Sequence, residues 1–348
     1  MDATRDALEE RAGGVLPEPV HRYFRQGARD GVAAWEASAA WDRFRFRPHI
    51  LRDVTAVTTR TTVLGSDVRT PFGVAPTTLQ RAAHPEGEVA MARAAAEAGA
   101  VMVVSSNAGF TFREISDTGV LWWLQAYVAA DRLTTKPLLE RAVDAGARAV
   151  VLTADTPVVG VKYDTPPGGT VWDMVDPGWF RMNFDPGYGD SPGEEKATDL
   201  GPHDVDWLAK TTGLPVVVKG VLRPDDARRC VDAGASAIWV SNHGGRQLDY
   251  AAATADVLGA VVEEVGHDAE VYVDGGVRNG RHALAALALG ARAVFLGRLP
   301  LYALAVGGSD GVAELFAGLG EELGDWMRLS GCGTVSAANP DLLSVVAR

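Results

Sequence analysis

Ala237-Ile238-Trp239-Val240-Ser241-Asn242-His243-Gly244-Gly245-Arg246-Gln247-Leu248-Asp249 joins an apolar tetrapeptide to a run of glycines and polar residues. The tetrapeptide, bounded by turn residues, reads as a buried strand. His243, Gly244, Gly245 and Arg246 therefore stand just past a strand's C-terminal end. In parallel α/β folds that end is where sites are built. The glycines permit a tight turn and close approach to a ligand. His243 can exchange a proton near neutral pH, and Arg246 can clamp a carboxylate through two parallel hydrogen bonds. A base beside an anion clamp suggests chemistry on a small acid.

The same alternation extends in both directions. Short apolar runs occur at 72–75, 101–104, 121–125, 149–153, 215–219, 237–240, 271–274 and 293–296. Ala-rich, Leu-rich or charged stretches with helix signals lie between them. Ala-Gly-Ala recurs at 98–100, 145–147 and 233–235, each shortly before a strand, where glycine suits a helix C-cap. Eight β-then-α units predict a TIM (β/α)8 barrel. Such a barrel needs about 250 residues, so the 348-residue chain has two surplus segments. Residues 1–70 read as a helical extension with a short strand or hairpin. The barrel is expected over 71–310, followed by a C-terminal helical segment, 311–348. Residues 162–202, rich in Gly, Pro and Asp with interspersed aromatics, predict a long loop after the fourth strand. It serves either as a lid over substrate or as packing against the rim. All of this reads as one domain.

Composition narrows the function. The formal charge of −12 argues against a nucleic-acid surface. Cys230 and Cys332 are far apart, giving neither a disulfide framework nor a zinc spacing. The charged N-terminus lacks a signal-peptide core, and no apolar run is long enough to cross a bilayer. A cytoplasmic protein without a metal site is expected.

Polar residues collect where the runs end. Thr77, Thr78, Ser105, Ser106, Gln125, Tyr127, Thr153, Lys219, Ser241, Asp274 and Arg298 converge on one mouth in a closed barrel. Asp274-Gly275-Gly276-Val277-Arg278 follows the seventh run and Gly297-Arg298 the eighth, the places where TIM barrels frequently bind phosphate. Lys219 ends an apolar run, so it is a Schiff-base former, a phosphate contact, a cofactor's charge partner or a snorkelling rim lysine. The other six histidines lack clustered partners and read as structural.

These residues resemble the FMN-dependent α-hydroxy acid oxidases and dehydrogenases, which include glycolate oxidase, lactate oxidase and mandelate dehydrogenase. The segment 241–249 is the most specific match. Ala75-Pro76-Thr77-Thr78-Leu79-Gln80, His84-Pro85-Glu86-Gly87-Glu88, Gln125-Ala126-Tyr127, Thr153-Ala154-Asp155-Thr156-Pro157, Lys219-Gly220 and Asp274–Arg278 also match. So do Tyr23-Phe24 and Phe46-Arg47-Pro48, and the likeness covers about residues 20 to 340. The tail Gly331–Ala337 is similar to that of bacterial hydroxymandelate oxidases. No haem-binding stretch precedes the barrel, so a flavocytochrome is not expected.

The resemblance implies FMN across the barrel mouth. Its phosphate would meet Gly276, Arg278, Gly297 and Arg298. Thr77, Thr78, Ser105, Gln125, Thr153, Ser241 and Asp274 would line the rest of the cofactor site. Lys219 would sit at the flavin edge that gains negative charge. Tyr23, Tyr127 and Arg246 would hold the substrate, and His243 would be the general base. A homotetramer, with oxygen or another electron acceptor, is also implied. Three positions depart from the family pattern. Lys162 stands for an arginine serving the substrate carboxylate, Thr78 for a small residue near the reactive flavin edge, and Asn107 for an indole. Lysine keeps the charge but loses the bidentate fork. Three readings follow: oxidation of a 2-hydroxy acid such as a mandelate to a 2-oxo acid, FMN-dependent oxidation of a non-standard substrate, or a non-redox barrel binding a phosphorylated ligand.

Overall fold

In the structure, a computed structural model that describes residues 3–163, 170–189 and 192–346, the eight runs are strands. They are β1 (Phe72–Val74), β2 (Val101–Ser105), β3 (Leu121–Ala126), β4 (Val150–Thr153), β5 (Val216–Val221), β6 (Ala237–Val240), β7 (Glu270–Val273) and β8 (Ala293–Leu296). All pair in parallel and in sequential order, and the barrel closes where Val294 of β8 faces Phe72 of β1. This is the expected TIM barrel.

Strand residues alternate between two apolar clusters, one inside the barrel and one beneath the helices. Trp123, Trp239, Tyr272 and Phe295 fill the interior, with the Trp239 and Phe295 rings 4.0 Å apart. Ile238 and Val240 belong to the outer cluster. The same alternation decides where Lys219 goes. It lies opposite Trp239 in the β5–β6 register, two residues beyond the interior Val217. Its ammonium is thereby aimed into the mouth. A hairpin, Thr61–Val63 with Ser66–Val68, closes the other end, contributing Val63 and Val68 to the interior.

The N-terminal extension packs on the mouth. Helix Val32–Trp41 rests against the loop after β6. Gly245 has φ +73°, and a Cβ there would lie 2.2 Å from the Ala34 nitrogen, so only glycine allows this approach. The Asp249 carboxylate accepts hydrogen bonds from Gly31 N (3.1 Å) and Ala33 N (2.9 Å) at the positive end of that helix. Trp41 Nε1 donates to the Gly275 carbonyl at 2.8 Å and Ser38 Oγ to that of Gly276 at 3.0 Å. Strand Phe44–Phe46 then pairs antiparallel with Leu343–Val345.

The C-terminal region differs from expectation. Helix Arg298–Leu329 runs through position 310, bending at Gly308 (φ 58°, ψ −142°). Beyond it the chain makes two single-turn 3-10 helices, Val335–Ala337 and Pro340–Leu342, and the strand Leu343–Val345, with no further α-helix among the described residues. Gly331, Gly333 and Pro340 interrupt helical continuation there.

Residues 164–169 and 190–191 of the expected long loop lie outside the described residues. The described part divides its aromatics between two tasks. Trp172 stands edge-on to Tyr23, 5.4 Å away, at the mouth. Trp179 lies against the Arg81 guanidinium, and Phe184 pairs with Tyr188. The returning limb is fastened to the segment after β3 through Asp131 N to Gly193 O (2.8 Å), Ala130 N to Glu195 O (2.8 Å) and Ala197 N to Val128 O (2.9 Å). No helix among the described residues is long and apolar enough to cross a membrane.

Candidate active site

Two adjoining cavities open at the C-terminal ends of the strands. Thr77, Ser105, Gln125 and Thr153 line one side of the first. Gln125 spans neighbouring strand ends: Oε1 accepts from Ser105 Oγ (3.2 Å) and Nε2 donates to Thr153 Oγ1 (3.0 Å). The opposite end holds Gly276, Arg278, Gly297 and Arg298. A Cβ at Gly276 would lie 2.2 Å from the Ala37 carbonyl oxygen. The helix beginning at Arg298 has no side-chain cap from Gly297. An uncapped helix start flanked by two arginines is suited to a phosphate. Arg298 also donates to the carbonyls of Phe24 (3.1 Å) and Gly244 (3.0 Å), tying the extension to the histidine loop.

Lys219 lies between these ends and is buried. Its Nζ is 2.9 Å from Ser241 Oγ and 3.3 Å from Asp274 Oδ2. Ser241 Oγ donates to Asp274 Oδ1 at 2.7 Å and accepts from His243 N at 3.0 Å. The lysine charge is thus held in place by a buried hydrogen-bonded pair.

His243 has φ +56°, a left-handed backbone uncommon outside glycine. Its Nδ1 is 2.9 Å from Asp155 Oδ1. That approach depends on Gly220 in the β5 irregularity, where a Cβ would fall 2.6 Å from Asp155 side-chain atoms. With Nδ1–H donated to Asp155, Nε2 carries the lone pair. Burial, then the Lys219 charge, lower the His243 pKa, while Asp155 works in the opposite direction. Burial opposes the charge on Asp155, but the imidazole and Lys219 outweigh it and hold that carboxyl below its usual range. The imidazole is therefore neutral and basic at pH 7. We expect kcat/KM to rise as His243 loses its proton, with an apparent pKa below the ordinary value of about 6.5. Asp155→Asn removes a charge that favours the imidazolium, so this limb should move to lower pH while the plateau falls on the order of 10²-fold. A pH–rate profile checks both, and a limb displaced to higher pH would contradict the assignment.

His243, Tyr23, Thr78, Asn107, Tyr127 and Arg246 line both cavities. Arg246 Nη1 donates to the carbonyls of Tyr23 (2.6 Å) and Gln26 (2.8 Å), and its guanidinium lies 4.8 Å from the Tyr23 ring. Burial pushes the Tyr23 phenol upward against the Arg246 charge. Burial, then Asp155, pushes that of Tyr127 upward, so both remain donors. Thr78 Oγ1 donates to the Asn107 carbonyl at 2.9 Å, fixing the segment after β2.

Lys162 lines the second cavity, but its Nζ donates to the carbonyls of Gly160 (2.7 Å) and Arg246. It braces the arginine backbone. Burial, then Arg246, lower its pKa to about 8.

Every proposed site residue faces this mouth or, like Ser241, braces a residue that does. Sequence reasoning missed Asp155 as the partner of His243, although Asp155 stands within the matching segment Thr153–Pro157. It also missed Lys196, which lines the second cavity from a loop without periodicity. Among the six other histidines, His282 is 2.9 Å from Asp42, away from the mouth. No metal-ligating group of three side chains occurs among the described residues.

Comparison with known proteins agrees with this geometry. The family model described as FMN-dependent dehydrogenase matches residues 12–345. The chain is 40% identical to human 2-hydroxyacid oxidase 1, over 96% of this chain and 94% of that protein. It is 39% identical to an L-lactate oxidase of Nostoc sp., over 93% of each. A solved structure of mandelate oxidase with benzoyl-formic acid superposes with a TM-score of 0.88 at 38% identity, covering 98% of this chain and 97% of that one. The chain belongs to the FMN-dependent dehydrogenase family, as an FMN-dependent oxidoreductase of the 2-hydroxy acid oxidase kind.

Proposed function

We propose that the protein oxidises an aryl-bearing 2-hydroxy acid to the 2-oxo acid and passes the electrons to oxygen. The observation that carries this reading is the His243–Asp155 pair beside Arg246, where the two cavities meet.

The first cavity fits FMN. The uncapped helix start with Gly276, Gly297, Arg278 and Arg298 would hold its phosphate. Thr77, Ser105, Gln125, Thr153 and Lys219 would hold the ring, with Ser241 and Asp274 fixing the lysine. When bound, FMN supplies the redox chemistry, accepting the two electrons that leave the substrate.

Arg246 and Tyr23 bind and orient the carboxylate. Tyr127 donates to a substrate oxygen. His243 Nε2 accepts the substrate proton, and the Asp155 carboxylate holds the ring and steadies the imidazolium that results. Tyr23, Val171 and Trp172 offer an apolar wall for an aryl group. That mandelate oxidase has been solved with benzoyl-formic acid, and a mutant of it with (S)-mandelic acid, supports the same substrate class. Free Cys230 and Cys332 fit a reducing, cytoplasmic setting. Exposed Trp35, Leu51, Leu248 and Tyr250 fit burial in a homotetramer.

The test is anaerobic titration of the purified flavoprotein with glycolate, lactate and both mandelate enantiomers. We expect the flavin band to bleach fastest with a mandelate and to return on admitting air. A band bleached by none of them would overturn the reading in favour of a non-standard substrate. Recovery only with a quinone or carrier would replace oxygen as the acceptor.

A further inference from the structure

We propose that Lys196 is a specificity-determining residue that selects substrates carrying a second negative charge on the side chain. This rests on the 2-hydroxy acid reading above.

The other cations around the second cavity are already employed. Arg22 forms an ion pair with Glu18. Lys162 donates to two backbone carbonyls. Arg246 is braced by two more and lies against Tyr23, where it would meet the α-carboxylate. Lys219 belongs to Ser241 and Asp274, on the cofactor side. Asp155, the carboxylate nearest the reacting position, is held by His243.

Lys196 is the exception. It is half-buried and lines the cavity, with Nζ 3.6 Å from the centre of the Tyr127 ring. It makes no hydrogen bond or ion pair with another side chain among the described residues. A cation over an aromatic face is stabilised only partly for its loss of water. Its backbone is not loose: Lys196 bridges Ala129, between the hydrogen bonds Ala130 N to Glu195 O and Ala197 N to Val128 O. The backbone therefore fixes where the side chain leaves the loop, and the Tyr127 ring receives the ammonium at the mouth. Burial lowers the Lys196 pKa and the Asp155 charge only partly offsets this, so an anion arriving directly beside the ammonium would raise it further. One carboxylate satisfies Arg246. A second anionic group, at the far end of the substrate, satisfies Lys196.

Two matched pairs test this on the flavin-loaded enzyme: 4-carboxymandelate against mandelate, and 2-hydroxyglutarate against 2-hydroxypentanoate. The quantity read is the ratio of kcat/KM for charged and uncharged members. We expect at least one pair to favour the charged member on the order of tenfold, since charge-assisted hydrogen bonds are the stronger kind. Lys196→Met should bring that ratio to about one or below, and Lys196→Arg should retain it. Binding of 2-oxoglutarate against 2-oxopentanoate, followed by perturbation of the flavin spectrum, should show the same preference without turnover. A wild-type ratio near or below one for both pairs, or a ratio that survives Lys196→Met, overturns the inference alone. If no hydroxy acid of either kind reduces the flavin, the parent reading fails and this one with it.

Discussion

His243→Asn should slow anaerobic flavin reduction about 10³-fold while leaving FMN bound, within the usual contribution of a general base. Asparagine is chosen because position 243 has φ +56°, a conformation it tolerates well. The variant retains the backbone that carries the Ser241 and Gly244 contacts and removes the imidazole, with its proton acceptor and its Nδ1 contact to Asp155. Arg278, Gly297 and Arg298, at the phosphate end, are untouched, so flavin content should stay at the wild-type level. Stopped-flow absorbance measures the reduction, and flavin-to-protein ratio measures the binding. Loss of FMN, or reduction within tenfold of wild type, would remove His243 from the role of base.

Lys219→Met should act on both binding and chemistry. Asp274 is buried, at 6% exposure, and would lose its counter-charge while keeping the Ser241 hydroxyl. Stranding one member of a buried ion pair costs about 3–5 kcal/mol. A fixed positive charge near a developing negative one contributes on the order of 10²–10³ in rate. The variant should melt at lower temperature, bind FMN more weakly and reduce more slowly. The double variant Lys219→Met with Asp274→Asn separates these effects. It should recover much of the stability by removing the stranded charge, yet not the reduction rate. Full recovery of the rate would confine Lys219 to neutralising Asp274. Thermal melts and FMN titration of the apoprotein provide the measurements.

Much of this arrangement was legible because it is written locally. The eight strands announce themselves by short apolar runs between turn residues, and sites in such barrels lie at the C-terminal strand ends. Lys219 could be singled out because a lysine ending the apolar run Val216–Val218 is unusual, while the choice among its possible roles needed the barrel register. His243 and Arg246 could be chosen because glycines and a strand end surround them. Asp155 was not readable as a partner. Its contact with His243 crosses 88 positions and depends on the close approach that Gly220 allows. Lys196 was hidden for a different reason: a Gly-, Pro- and Asp-rich loop has no period from which to infer direction. Lys162 was read through the resemblance as standing for a substrate-binding arginine, but two of its hydrogen bonds are spent on carbonyls nearby. Beyond Leu329 the glycines and Pro340 were visible, yet the strand partner at Phe44–Phe46 lies almost 300 positions upstream.

The strand pairing of Phe44–Phe46 with Leu343–Val345 bears on how the protein is made. A ribosome delivers Trp41 long before Gly275, its hydrogen-bond acceptor, and Phe44 long before Val345. Through most of synthesis, helix Val32–Trp41 therefore has no surface on which to dock. The nascent chain carries an apolar segment awaiting its seat, a natural client for chaperones. The cofactor cavity itself is incomplete until Arg298 has been made, because Gly276, Arg278, Gly297 and Arg298 form its phosphate end.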